Sequence, residues 1–292
     1  MRKEMFKNLL IIVLTLIFIT TACGDPVVEL EDEYEPKIAV SAYIYPEKRV
    51  ENIRVMRNFQ LSGDIDSSSI ILTPFSNNVN ISINDVPLNF DLKTFSYYTD
   101  NLQIDYNKEY TIKISAVVDG KQLYTESKTV TPQKGFKVTA KDLGEIKYRE
   151  VSPTINFTVS PGTGFYAFSI NALEAGVNNF IFDNPYEPNV KPEDLEDRLN
   201  FYKFQMNMVL NLNLAANDIY EYEISGLDTW FYGNYEVVVY AGNKNMEDFV
   251  LTAGNVQEFD GNFHEPRMYF EGDGIGVFAG AIADTVKFKL VK

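Results

Sequence analysis

From Pro36 to the C-terminus, apolar residues recur at every second position rather than every third or fourth. A chain patterned in this way buries its apolar side by pleating into sheets, because successive side chains of a strand point to opposite faces. Residues 37–45 (KIAVSAYIY) alternate and are closed by Pro46. Residues 50–59 form a second candidate strand, with Ile53, Val55 and Phe59 on one face. Residues 79–83 alternate strictly and end at Asn84-Asp85, a turn signal. Residues 110–118 and 123–130 flank Asp119-Gly120, a pair that tolerates the positive φ of a tight hairpin turn. Thr131-Pro132 stops the hairpin. This run of short strands over 36–132 predicts an immunoglobulin-like β-sandwich.

Gln133-Lys134-Gly135 reads as a junction, and residues 133–292 as a second β-rich, sandwich-like domain with one or two short helices. Residues 154–159 and 165–170 flank Pro161-Gly162-Thr163-Gly164, which predicts another hairpin. Residues 183–200 are Pro-rich and acidic, a loop with one short helix over 192–199. Phe204, Met206, Met208, Leu210, Leu212 and Leu214 occupy alternate positions, with Gln205, Asn207, Asn211 and Asn213 among those between. This is the cleanest amphipathic strand in the chain. Residues 235–240 (YEVVVY) suit a central strand, and 285–291 a closing one. Residues 245–252 predict a short helix capped by Asn245. No repeat of the length that builds solenoids is present.

The fold class expected is therefore all-β. High aromatic content, 21 Phe and 18 Tyr in 292 residues, agrees with it. The formal net charge is -15. Such a polyanion repels phosphate backbones, which argues against a nucleic-acid partner. One cysteine excludes internal disulfides, and one histidine leaves little with which to build a zinc site or a Ser-His or Cys-His catalytic pair. No metal, cofactor or catalytic residue is expected.

Residues 1–22 have the three parts of an export signal. Arg2, Lys3 and Lys7 are basic, residues 9–19 (LLIIVLTLIFI) are apolar, and Thr20-Thr21-Ala22 places small residues before Cys23. The apolar run has 11 residues, short for a helix across about 30 Å of hydrocarbon. Thr20-Thr21-Ala22-Cys23 resembles a lipobox, which implies diacylglycerol on Cys23 and cleavage before it. Residues 23–35, rich in Asp and Glu, read as an acidic tether. Each buried acyl CH₂ adds about 0.8 kcal/mol, so an acylated Cys23 would hold the body at a bilayer.

Two stretches resemble a Bacteroidetes lipoprotein family of unknown function, the DUF4249 group: residues 36–46, and Glu265-Pro266-Arg267 followed by residues 272–280 (GDGIGVFAG). The order of lipobox, acidic spacer, immunoglobulin-like half and second β half is similar too. The resemblance implies an outer-membrane lipoprotein, often encoded near TonB-dependent receptors, while the acidic residues just after Cys23 resemble the surface-export signals of Bacteroidetes lipoproteins. It carries over no catalytic residue. Fimbrillin-type adhesins share the lipobox and two sandwiches and are a rival match.

Some residues invite functional readings. Trp230, Phe231 and Tyr232, between Gly226 and Gly233, would stack on a ligand or anchor a partner if exposed, and would plug the space between sheets if buried. Tyr97 and Tyr98 divide in the same way. Gly272, Gly274 and Gly276 suggest a dinucleotide loop, but position 277 is Val and the residues beyond it read as strand, so close approach of another chain segment is the better account. Asp64-x-Asp66-x-Ser68 is a polar turn rather than a calcium loop. His264 is most simply a loop residue. Plentiful carboxylates leave a hydrolase as an alternative without selecting a pair. The function expected is a surface binding protein or receptor accessory, with a fimbrial subunit as the alternative.

Overall fold

A computed structural model describes residues 34–59, 69–215, 218–253 and 266–292. The signal segment, Cys23, most of the tether, Asp64-x-Asp66-x-Ser68 and His264 lie outside the described residues. Residues 36–292 form one compact unit, and it is an all-β sandwich structure.

The first eight strands are β1 (Ile38–Ile44), β2 (Arg49–Arg57), β3 (Asn80–Ile83), β4 (Val86–Pro87), β5 (Asn89–Asp91), β6 (Ser96–Gln103), β7 (Glu109–Val118) and β8 (Lys121–Val130). Asn84 and Asp85 both adopt positive φ (48° and 64°), as do Asp119 and Gly120 (50° and 77°), so both predicted tight turns have the twist that joins antiparallel strands. β1, β2, β6 and β5 lie in one sheet, and β8, β7, β3 and β4 in another. Between them Ile38, Val40, Ala42 and Ile44 of β1 meet Ile112, Ile114 and Ala116 of β7 in one apolar core. This is the immunoglobulin-like half.

The remaining strands are β9 (Lys137–Val138), β10 (Asp142–Lys147), β11 (Thr154–Thr158), β12 (Phe165–Ala172), β13 (Phe204–Val209), β14 (Ile219–Glu223), β15 (Gly233–Gly242), β16 (Phe270–Gly272) and β17 (Gly274–Val291). Helix α1 (Pro192–Lys203) precedes β13, and α2 (Lys244–Ala253) follows β15. A three-stranded sheet, β14-β11-β9, covers β12, β15 and the end of β17, and a second core rich in aromatic rings fills the space between.

The two halves are joined through β17. Its first seven residues run parallel to β1, from Ile38↔Gly274 to Ile44↔Gly280. Its remainder pairs with β15, from Gly242↔Ala281 to Gly233↔Leu290. One nine-stranded sheet therefore passes through both sandwiches. Residues 270–280 were grouped with the second domain by their position in the sequence, yet β16 pairs with β8 and Phe278 is buried in the first core. A cut at 132/133 therefore leaves Phe278, and the β16 and β17 residues that complete the first sandwich, on the wrong side. Within the two stretches that carry the family resemblance, residues 38–44 of the first and 274–280 of the second are paired in this sheet, while Glu265 of the second lies outside the described residues.

The glycines of β17 explain how close this seam is. A Cβ on Gly276, whose φ is 107°, would fall on the Val40 carbonyl oxygen. A strand rather than a helix follows Gly272-x-Gly274-x-Gly276, so the geometry is not that of a dinucleotide loop.

Three local expectations need correction. β11 and β12 are not a hairpin: β11 pairs with β14 and β9, β12 with β13 and β15, and residues 159–164 carry the chain from one sheet to the other. Helix α2 is capped by Asn243, whose Oδ1 accepts the Met246 N–H at 3.2 Å. Asn245 instead donates to the carbonyls of Lys128 and Phe278, at 2.7 and 3.0 Å. β13 is an edge strand whose apolar row faces outward, with Phe204, Met206 and Met208 exposed by 53%, 43% and 37%. Asn207 and Val209 lie opposite Phe168 and Tyr166, which face the core. Cross-strand partners share a face, so the register with β12 turns the polar row inward.

Candidate functional site

The aromatic residues singled out in the sequence divide between core and surface. Trp230 and Phe231 are buried. The Trp230 ring lies parallel to Phe180 at 6.1 Å and near Tyr202 at 4.9 Å, and its Nε1 donates to the Leu227 carbonyl at 2.6 Å. Both are structural, and the ligand-contact reading of them is corrected. Tyr232, half-buried, packs edge-on against Tyr148 at 5.8 Å. Tyr97 is buried and donates to the Leu72 carbonyl at 2.9 Å, whereas Tyr98 faces outward beneath the Arg49 guanidinium, 5.8 Å from its ring centre. These five residues do not converge.

A larger cleft among the described residues lies elsewhere, at the seam between the sandwiches. β17 is paired with β1 up to Gly280 and with β10 from Lys287, so on that edge residues 281–286 have no ladder partner among the described residues. The resulting notch opens into a cleft of about 860 Å³. That is the upper part of the range of about 300–1,000 Å³ typical of ligand pockets. A smaller hollow of about 220 Å³ lies beside Tyr148 and Tyr186.

Tyr43, Tyr45 and Tyr240 line the cleft. On β1 the residues Ile38, Val40, Ala42 and Ile44 are buried in the first core, so Tyr43, in the opposite phase, projects from the other face, with Tyr45 two residues on. On β15 the residues Tyr235, Val237, Val239 and Ala241 enter the second core, and Tyr240 likewise projects away from it. Strand β17 runs between and presents Ala279, Ala281 and Ala283, side chains small enough for the tyrosines to approach across it. The Tyr45 and Tyr240 rings are 6.5 Å apart. Burial, reinforced by the neighbouring phenols, holds Tyr43 and Tyr45 above the ordinary tyrosine range, and burial with the nearby Glu236 does the same for Tyr240. All three remain neutral hydroxyls at physiological pH.

The walls are charged. Pro46 turns the chain out of β1 into Glu47, Lys48 and Arg49, and the opposite wall is the segment carrying Lys134, Lys137 and Lys141. Five cationic side chains face three acidic ones, Glu47, Glu51 and Asp284. In a chain of net charge -15, this is a local reversal of sign. Lys134 bonds Glu47 at 3.4 Å and lies 5.3 Å from the Tyr106 ring centre, while Tyr106 donates to Glu47 at 3.2 Å, so the two walls touch at one end. Arg49 is held by Glu51 (2.7 Å) and Asp100 (3.4 Å), and Lys141 by Asp284 (2.9 Å). Lys48 and Lys137 have no carboxylate partner among the described residues.

Sequence reading missed this site. Its one local signal was Tyr43 and Tyr45 on the phase of β1 where a half-buried strand ordinarily carries polar residues. Among the described residues no three His, Cys, Asp or Glu side chains converge as metal ligands. No helix among them is long and apolar enough to cross a membrane.

No family model matches the chain, and no curated protein matches it. Among solved structures, a titin fragment is similar over 89% of this chain and 98% of its own length, at 9% identity and a TM-score of 0.22. A titin I-band fragment is similar over 87% of this chain and 65% of its own length, at 7% identity and a TM-score of 0.22. A SusE-like surface-located polysaccharide-binding protein from the Bacteroides thetaiotaomicron heparin utilisation locus is similar over 87% of this chain at 10% identity and a TM-score of 0.22, and the match spans 33% of that protein.

Proposed function

We propose that this chain is a lipid-anchored, non-enzymatic binding protein of a bacterial outer membrane, a member of the DUF4249 group, that faces the cell surface and serves a TonB-dependent receptor or captures an extracellular ligand. The observation that carries the binding role is the cleft at the seam, where neutral phenols form a floor between walls of reversed charge. Acylated Cys23 is the anchor, with residues 23–35 as its tether. A fimbrial subunit assembled by donor strands needs an open groove. Here the edge of β1 is filled by the chain's own β17.

Mass spectrometry of the native protein tests the anchor, and co-purification from solubilised envelopes tests the partner. A diacylglycerol thioether on Cys23 and recurrent recovery of an outer-membrane receptor are expected. An unmodified Cys23 on protein released to the medium would overturn the proposal.

A further inference from the structure

We infer that the seam cleft binds an oligosaccharide bearing carboxylate or sulfate groups. This inference rests on the binding role proposed above and assigns its ligand class. On the floor, Tyr43, Tyr45 and Tyr240 are half-buried and neutral, so each offers an apolar ring beside a hydroxyl that both donates and accepts. A sugar ring has the complementary surface, a C–H face edged by hydroxyls. A purely apolar ligand would leave these phenols without partners, at the cost of desolvating them.

The walls supply the charge preference. Lys48 and Lys137 stand on opposite sides of the cleft, without carboxylate partners among the described residues, while Arg49 and Lys141 are already neutralised. Two exposed ammonium groups without carboxylate partners among the described residues favour a ligand with anionic substituents at separated points over one with a single compact charge. The rest of the surface is strongly acidic. Its repulsion of a short anionic oligomer in the cleft is damped, because charges beyond about 8 Å are largely screened at physiological ionic strength. The open notch on β17 also suits a chain that enters and leaves the cleft.

The test is calorimetric titration of the purified full-length chain with four probes: hexagalacturonate, its fully methyl-esterified form, a sulfated dextran oligomer and hexaglutamate. Binding of hexagalacturonate or the sulfated oligomer is expected, and those two arms distinguish carboxylate from sulfate. The esterified hexamer should bind about tenfold more weakly, as should hexagalacturonate to the Lys48→Glu/Lys137→Glu double variant, the scale of two exposed ion pairs. Tyr45→Ala should weaken every sugar probe, and Lys121→Glu, on the distant β7–β8 turn, none. Circular dichroism checks that each variant is folded. Equal affinity for the esterified hexamer, or tighter binding of hexaglutamate, would overturn the inference while leaving the cleft a binding site. If no probe binds and no envelope partner is recovered, the binding role itself falls.

Discussion

Replacement of Gly276 by alanine should open the seam that makes one unit of the two sandwiches. Gly276 has φ of 107° and lies opposite Val40 of β1. An added Cβ would sit on the Val40 carbonyl oxygen and 3.0 Å from both the Val40 nitrogen and carbonyl carbon. These are backbone atoms of a strand clamped by β2 on its other edge, so they cannot move aside cheaply. The positive φ costs alanine about 1–2 kcal/mol. Overpacking adds about 1–3 kcal/mol, and loss of one or two ladder hydrogen bonds about 1 kcal/mol each. The total is about 3–7 kcal/mol. Gly120→Ala provides the internal control: its φ is also positive, at 77°, but nothing lies within 4 Å of the new Cβ. That variant should lose only about 1–2 kcal/mol. Urea unfolding followed by tryptophan fluorescence and far-ultraviolet circular dichroism measures both. Trp230 reports the second core alone, so a loosened seam should also separate the two signals into distinct transitions. Equal urea midpoints for the two variants would refute the account of β17 as a closely packed seam.

Asp248, 2% exposed, binds Lys244 (2.9 Å), Arg267 (3.3 Å) and the Tyr269 hydroxyl, and ties the C-terminal segment to α2. Burial pushes its carboxyl up, but those partners outweigh it and the net displacement is down. A lowered folded value stabilises the protein above the unfolded carboxylate range, so this contribution should fade as the pH falls below about 4, and thermal melts across that range measure it. Asp248→Asn should cost about 1–2 kcal/mol at pH 7, since Lys244 and Arg267 remain in water, and should flatten the acid limb of the pH profile. Trp230→Ala should cost about 3–5 kcal/mol in denaturant titrations yet leave the affinity of any cleft ligand unchanged, because the indole lies in the second core. Met206→Lys/Met208→Lys on the outer face of edge strand β13 should shift the melting temperature little and reduce self-association in analytical ultracentrifugation, as charge blunts an apolar edge.

The order of residues along the chain dictates its local features. Period-two alternation locates β1, β2, β3, β7, β8, β12 and β15, and Asn84-Asp85 and Asp119-Gly120 set two hairpins, because pleat and turn conformation depend on adjacent residues. Pro192 and the acidic residues after it place the start of α1, though the helix continues to Lys203. Which strands pair across long separations is settled only by packing in three dimensions. A Pro-Gly turn at 161–162 reads the same whether the chain folds back on itself or crosses between sheets, and only the partners of β11 and β12 distinguish the two. The alternation in β13 marks an apolar row but not which way it faces, since register with β12 fixes that. The cleft was invisible for the same reason: Tyr43 and Tyr240 are nearly two hundred positions apart, and they share a floor because β17 lies between β1 and β15.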